Sequence, residues 1–263
     1  MTYVVFFIVG ILAGIVGGLL GTGGCALIMP VIRFGFHFDP AFAVGTTLTA
    51  VVFTAGSGAF KHSRMGNVDK KSAWITGSSG VVGVIIGSIV FAYIKPYGSL
   101  IDLIVGVAFL LVTLRMLYEG IEGLLSKNPL PEPVATEGLP GSALKKGAAG
   151  SGIGFLTGII GLGGGYALVP SFLYLFKAPM RFAIGTSMAS FVWMALVGSA
   201  IKIYQQVVNI PVAITLGIGA AIGAVFGAQL VAKIKPAVLK FIFGLLFLYV
   251  SLKYIFIYFG VTI

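Results

Sequence analysis

Runs of apolar residues about as long as a bilayer is thick, roughly 20 residues each, alternate along this chain with short polar segments. The long runs cover 3–20, 41–60, 72–94, 99–118, 180–201, 210–232 and 236–259, and shorter ones cover 26–36, 143–160 and 166–176. Each long run predicts a membrane-spanning helix, since hydrocarbon offers no partner for an unsatisfied backbone group. The first run is read as a retained span, because only Met-Thr-Tyr precedes it and no basic segment of a cleaved leader is present. Glycine clusters interrupt the apolar pattern twice: residues 18–30 read GLLGTGGCALIMP and residues 158–170 read GIIGLGGGYALVP.

That repetition extends well beyond the clusters. At a fixed offset of 140, residues 14–96 and 154–236 align without a gap and are identical at 23 of 83 positions, ending together at Lys95-Pro96 and Lys235-Pro236. A gapless run of this length marks an internal duplication. Each half reads as a glycine-broken helical hairpin followed by three long transmembrane helices, so the expected fold is an all-α integral membrane protein. Residues 1–122 form the first repeat and 148–263 the second. The Pro- and Gly-rich stretch 123–147, which has no apolar periodicity, is a cytoplasmic linker between them.

Composition agrees with a bilayer protein: 58% of residues are hydrophobic, 9% are charged and the mean hydropathy is +1.09. A net charge of +10 would suggest nucleic acid for a soluble chain, but here it reports topology, and no nucleic-acid partner is indicated. If each glycine break makes a hairpin, the number of crossings per half is odd and the two repeats are inverted. Thirteen of the 17 basic residues then share one side, with only Arg33, Lys95, Lys202 and Lys253 opposite. Parallel repeats would split them ten to seven. The positive-inside rule therefore selects inverted-topology repeats with both termini outside the cytoplasm. One cysteine allows no intrachain disulfide and no thiolate metal cluster. No metal or cofactor is expected.

Broken helices at corresponding positions of inverted repeats point to a ligand site between the halves. Helix starts near Ala26 and Tyr166 would aim unpaired N–H groups and about half a positive charge each into one cavity, which suits an anion. Glycine lets the backbone turn and approach the ligand without an intervening side chain. The candidate binding residues are Gly21, Thr22, Gly23, Gly24 and Cys25 in the first half and Gly161, Leu162, Gly163, Gly164 and Gly165 in the second. The repeated Gly-Thr-(Thr/Ser) element adds the hydroxyls of Thr46, Thr47, Thr186 and Ser187, which could equally bond their own helices. Glycines 77, 83, 87, 217, 223 and 227 fit helix packing better. His62, Arg64 and Lys202 are candidates for a gate or entrance. The seven acidic residues lie in loops or at span ends, which argues against a cation substrate. Carrier and channel both fit this pattern, and a thiol enzyme using Cys25 is a further alternative.

The repeated G-x-G-G-(G/C)-x4-P element, the Gly-Thr-(Thr/Ser) element and the loop 62–69 (HSRMGNVD) together resemble the TauE/SafE group of bacterial sulfite and organosulfur exporters over nearly the whole chain. The resemblance implies a non-enzymatic transporter in the bacterial inner membrane that exports a small sulfur-containing anion such as sulfite, sulfoacetate or a related sulfonate, without a cofactor. It leaves open the coupling ion (proton or sodium) and whether the protein is a homo-oligomer. The chain departs from the pattern at Cys25, which replaces the third glycine of the first copy, and at Lys202 and Gln206, which stand where the first half has His62 and Gly66.

Overall fold

A computed structural model describes residues 2–125, 139–161 and 164–259. Among these, ten α-helices follow one another: α1 Thr2–Leu20, α2 Cys25–Pro30, α3 Pro40–Arg64, α4 Lys70–Ile94, α5 Gly98–Leu125, α6 Ala143–Ile160, α7 Gly165–Tyr174, α8 Met180–Tyr204, α9 Ile210–Val231 and α10 Pro236–Tyr258. Seven of them, α1, α3, α4, α5, α8, α9 and α10, are long and apolar enough to cross a membrane. They coincide with the seven long apolar runs. Most of the segment read as a linker lies outside the described residues.

Local chemistry places the helix ends. Asp39, Asp69 and Asn209 cap α3, α4 and α9 by accepting backbone N–H bonds at their first turns. Pro40, Pro211 and Pro236 occupy first-turn positions where a missing N–H costs nothing. Pro30 and Pro170 fall inside the short helices α2 and α7 instead. After Pro30 the first half widens into a π-helical turn, Val31–Gly35, a common adjustment where the regular ladder is interrupted.

The first helix of each half packs mainly on the fourth helix of the other half. Gly10, Gly14 and Gly18 of α1 press on the backbone of Leu216, Ala220 and Ala224 in α9, so closely that a Cβ at any of them would overlap a carbonyl oxygen. Their equivalents, Gly150, Gly154 and Gly158 of α6, meet Thr76, Gly80 and Val84 of α4 in the same way. The facing ridges are also glycine: Gly219, Gly223 and Gly227 lie on Phe7, Ile11 and Ile15, while Gly83 and Gly87 lie on Ser151 and Phe155. With no solvent-driven force between helices in lipid, such backbone approach supplies the dispersion contact that holds them. The opposite faces are apolar and exposed, as in Ile210, Ile214, Ile218, Ile222 and Phe226 of α9, spaced one turn apart toward lipid.

The remaining helices complete the arrangement. α3 and α8 pack on each other and on α9 and α4, while α5 and α10 pair with one another. Ser251 of α10 donates to the Gly106 carbonyl of α5 at 2.7 Å, and Phe243, Phe247 and Phe109 form a chain of ring contacts that reaches Tyr166 of α7.

Gly14→Val is expected to lower stability by at least about 3 kcal/mol, the upper end of overpacking costs, because backbone and not a movable side chain faces it. Gly56, also helical but with open space around it, serves as the control: Gly56→Ala is expected to be neutral or stabilising by up to ~1 kcal/mol. Thermal unfolding of the two purified variants distinguishes them.

Candidate functional site

The two glycine breaks meet. In the first, Gly21, Gly23 and Gly24 take left-handed backbone angles with φ of 75°, 70° and 82°, and the N–H groups of Gly21 and Thr22 both turn back to the Gly17 carbonyl. In the second, Gly161 ends α6 with φ of 63° and its N–H bonds Thr157 O at 2.8 Å. Leu162 and Gly163 lie outside the described residues. Gly165, the first residue of α7, sits against the carbonyl of Gly21 and the Cα of Thr22 with no room for a side chain. Its equivalent in the first half is Cys25, a side chain where the second half has none. The Cys25 thiol donates to Thr22 O at 3.2 Å.

Each break is wedged beside the long helix of the opposite half. Gly21 lies on Ile184 of α8 and Gly161 on Val44 of α3, and these two contacts are themselves 140 residues apart. Ser187 of α8 donates to Gly21 O at 3.0 Å. Thr47, its counterpart, is fully buried, and among the described residues its hydroxyl and that of buried Thr22 have no hydrogen-bond partner. Among the described residues the N–H groups of Gly23, Gly24 and Ala26 face no backbone acceptor. Unpaired hydroxyls and amides so deep in the protein are rare, and the break holds several of them.

Thr46 and Thr186 have a different first role. Thr186 Oγ1 accepts the Asp69 N–H at 3.1 Å, and Thr46 Oγ1 accepts the Asn209 N–H at 3.0 Å. Each thus pins the start of a long helix of the other half. Gly45 and Gly185, one residue earlier, make room for those incoming loops by meeting the carbonyls of Val207 and Asn67.

The three basic residues expected at a gate are not brought together. Arg64 is exposed and lies over the Phe60 ring at 4.5 Å. His62 and Lys202 are fully buried and make equivalent bonds: His62 Nε2 to Gly18 O at 3.0 Å, and Lys202 Nζ to Gly158 O at 2.7 Å. Both carbonyls belong to the last turns of α1 and α6, which a helix end leaves without partners.

Two features escape a reading of the residues alone. Asp102, read as lying at a span end, is 1% exposed, which corrects the expectation that no carboxylate is buried. Arg33 grips it through two bonds, at 2.8 and 3.3 Å, and such pairing is what permits a buried charge. Tyr166 is buried with an unbonded hydroxyl where the first half has Ala26. Its polar character at the break was the available signal.

At the start of α4 a further network joins the halves. Asp69 accepts from Leu139 N–H at 2.7 Å and Ser72 Oγ at 2.6 Å, while Lys146 Nζ donates to Ser72 Oγ and Leu139 O at 2.7 and 2.6 Å. Asp69, Leu139 and Lys146 line a cleft of about 290 Å³ that also includes Lys71, Ile75 and Gly141.

This geometry defines a class: a multi-pass helical membrane protein with two interlocked, glycine-broken halves. The profile of the sulfite exporter TauE/SafE family matches residues 6–254, and the chain belongs to that family of membrane transporters. It is 28% identical over 236 residues, 84% of the chain and 85% of its relative, to the probable membrane transporter protein YunE of Bacillus subtilis. It is 26% identical to a probable membrane transporter protein of Xylella fastidiosa over 92% of the chain and 91% of that protein. No solved structure matches the chain.

The Asp69 carboxyl supplies a pH prediction. Burial raises its pKa, but the bonds from Leu139 and Ser72, with Lys146 nearby, outweigh that effect and hold it below its ordinary value. A depressed carboxylate stabilises the fold above its unfolded pKa of about 3.9 and ceases to do so as pH falls through the lower folded value. The melting-temperature gap between wild type and Asp69→Asn is expected to be full at pH 6 and to narrow as the buffer is taken below pH 4.

Proposed function

We propose that the protein is a secondary carrier that exports a small sulfur-containing anion, sulfite or a sulfonate such as sulfoacetate, across a bacterial inner membrane. The meeting of the two breaks, Gly165 against Gly21 and Thr22, carries this reading. Within 22–25 the backbone amides of Gly23 and Gly24, which face no backbone acceptor among the described residues, would hold the oxyanion near the midplane together with those of 162–165, with the hydroxyls of Thr47 and Ser187 beside them. A positive helix end and unpaired N–H groups suit an anion, and small neutral donors avoid the cost of a second buried charge.

The repeats at 1–122 and 148–263 would have inverted topology, with the linker in the cytoplasm and both termini outside. The thirteen-to-four distribution of basic residues supports this, and contacts that recur at an offset of 140 support the duplication. Rocking of one half against the other would then expose the site to each side in turn.

Melting temperatures of the detergent-purified protein against sulfite, sulfate, thiosulfate, sulfoacetate, taurine and chloride test the reading. A substrate at 100 times its dissociation constant is expected to stabilise by about 2.7 kcal/mol. Gly164→Ala is the informative variant, since its Cβ would meet only side chains, Leu168, Phe191 and Met194, at 3.1–3.4 Å. It is expected to keep the fold and weaken the anion about tenfold, ~1.4 kcal/mol. Gly24 is unsuitable, because its φ of 82° and the Ala13 carbonyl 2.6 Å away make any side chain there a folding defect. Sulfur-anion counterflow in proteoliposomes separates a carrier from a channel. Absence of a shift with every anion would sink the proposal.

A further inference from the structure

Lys202 sits near the end of α8 yet is wholly buried. Its Nζ makes one hydrogen bond, to Gly158 O at 2.7 Å, and stands 3.2 Å from the centroid of the Phe91 ring. Among the described residues no acidic side chain lies within ion-pair distance of it. An ammonium has three donors and a full charge to satisfy, and one carbonyl with one ring face leaves both demands incomplete.

A second observation lies one helical turn away, on the helix whose Phe91 ring Lys202 covers. The Ser88 hydroxyl of α4 is fully buried and has no hydrogen-bond partner among the described residues. Ser88 and Lys202 both border Gly158: the Ser88 N lies 2.7 Å from where a Cβ would stand, and Lys202 takes the Gly158 carbonyl. Gln205, just past the end of α8, ties that end to α4 by donating to Ser88 O at 2.7 Å.

The first half shows that the fold does not require this chemistry. At the equivalent positions His62 bonds Gly18 O at 3.0 Å, Ala228 replaces Ser88 and Met65 replaces Gln205. An imidazole, which needs no fixed charge to donate, is enough to satisfy the carbonyl. The charge at 202 and the hydroxyl at 88 exceed what holding α6 in place demands.

The geometry points to Lys202 and Ser88 as an oxyanion-binding station, closed in this conformation and separate from the glycine breaks, where the ammonium meets the charge of the transported sulfur oxyanion and the hydroxyl donates to one of its oxygens. Gln205 is a positioning residue. The station rests on the anion-carrier reading, and the test separates the two.

Affinity for sulfite and for sulfoacetate is read from the melting temperature of the full chain in detergent. Lys202→His reproduces the cap that the first half already uses and is expected to weaken binding at least about tenfold, whereas Lys202→Arg stays within about threefold. Ser88→Ala is expected to weaken it by about three- to tenfold. Unchanged affinity in Lys202→His overturns the station and leaves the carrier intact, as does equal loss in the His and Arg variants, since charge would then not be the cause. No stabilisation of the wild type by either anion overturns the carrier and the station together. Should Lys202→His fail to fold, Ser88→Ala decides: unchanged affinity overturns the station.

Discussion

A backbone interrupted inside a packed protein has only protein to bond to, and the rest of this structure is arranged around that demand. The residues at the ends of α1 and α6 are buried. Gly17 O takes two N–H groups from its own turn, Gly18 O is met by His62, Gly158 O by Lys202 and Gly21 O by Ser187. Three of these partners come from α3 and α8, so those two long helices are placed by the breaks as much as the breaks are held by them. After this satisfaction the hydroxyls of Thr22 and Thr47 remain without a hydrogen-bond partner among the described residues.

Close approach is the second demand, and it is met by other helices: α1 lies on α9 and α6 on α4, nearer than ordinary side chains permit, with glycine on both surfaces. The α1–α9 and α6–α4 contacts use the same residue spacing with interchanged roles, so one solution serves twice. The copies diverge at buried positions within this frame: Cys25 against Gly165, His62 against Lys202, Ala228 against Ser88, Ala26 against Tyr166.

The seven long helices were legible because a bilayer fixes length and hydrophobicity together, and α6 matches its apolar run at both ends. The breaks were legible because a helical pattern does not tolerate clustered glycine without reason. Partnership was not legible. Glycines at 10, 14 and 18 say that something comes close without saying that it is α9, and Arg33 with Asp102, 69 residues apart, carries no local sign of pairing. Thr46 and Thr186 illustrate the limit of motif reading: the hydroxyls were visible, but each already holds a backbone N–H from the other half. Burial of Lys202 was equally hidden, since a lysine three residues from a solvent-facing loop ordinarily extends into water.

The crossed pairing of helices also sets a schedule for making the protein. α1 ends at Leu20 and its partner begins at Ile210, so the glycine face of the first span leaves the ribosome long before anything exists to cover it. At about 5–20 residues per second that wait is on the order of ten to forty seconds. Throughout it the first helix must be shielded by the insertion machinery or sit unpaired in lipid, and a chain halted after its first half would carry an open seam that only a second half could close.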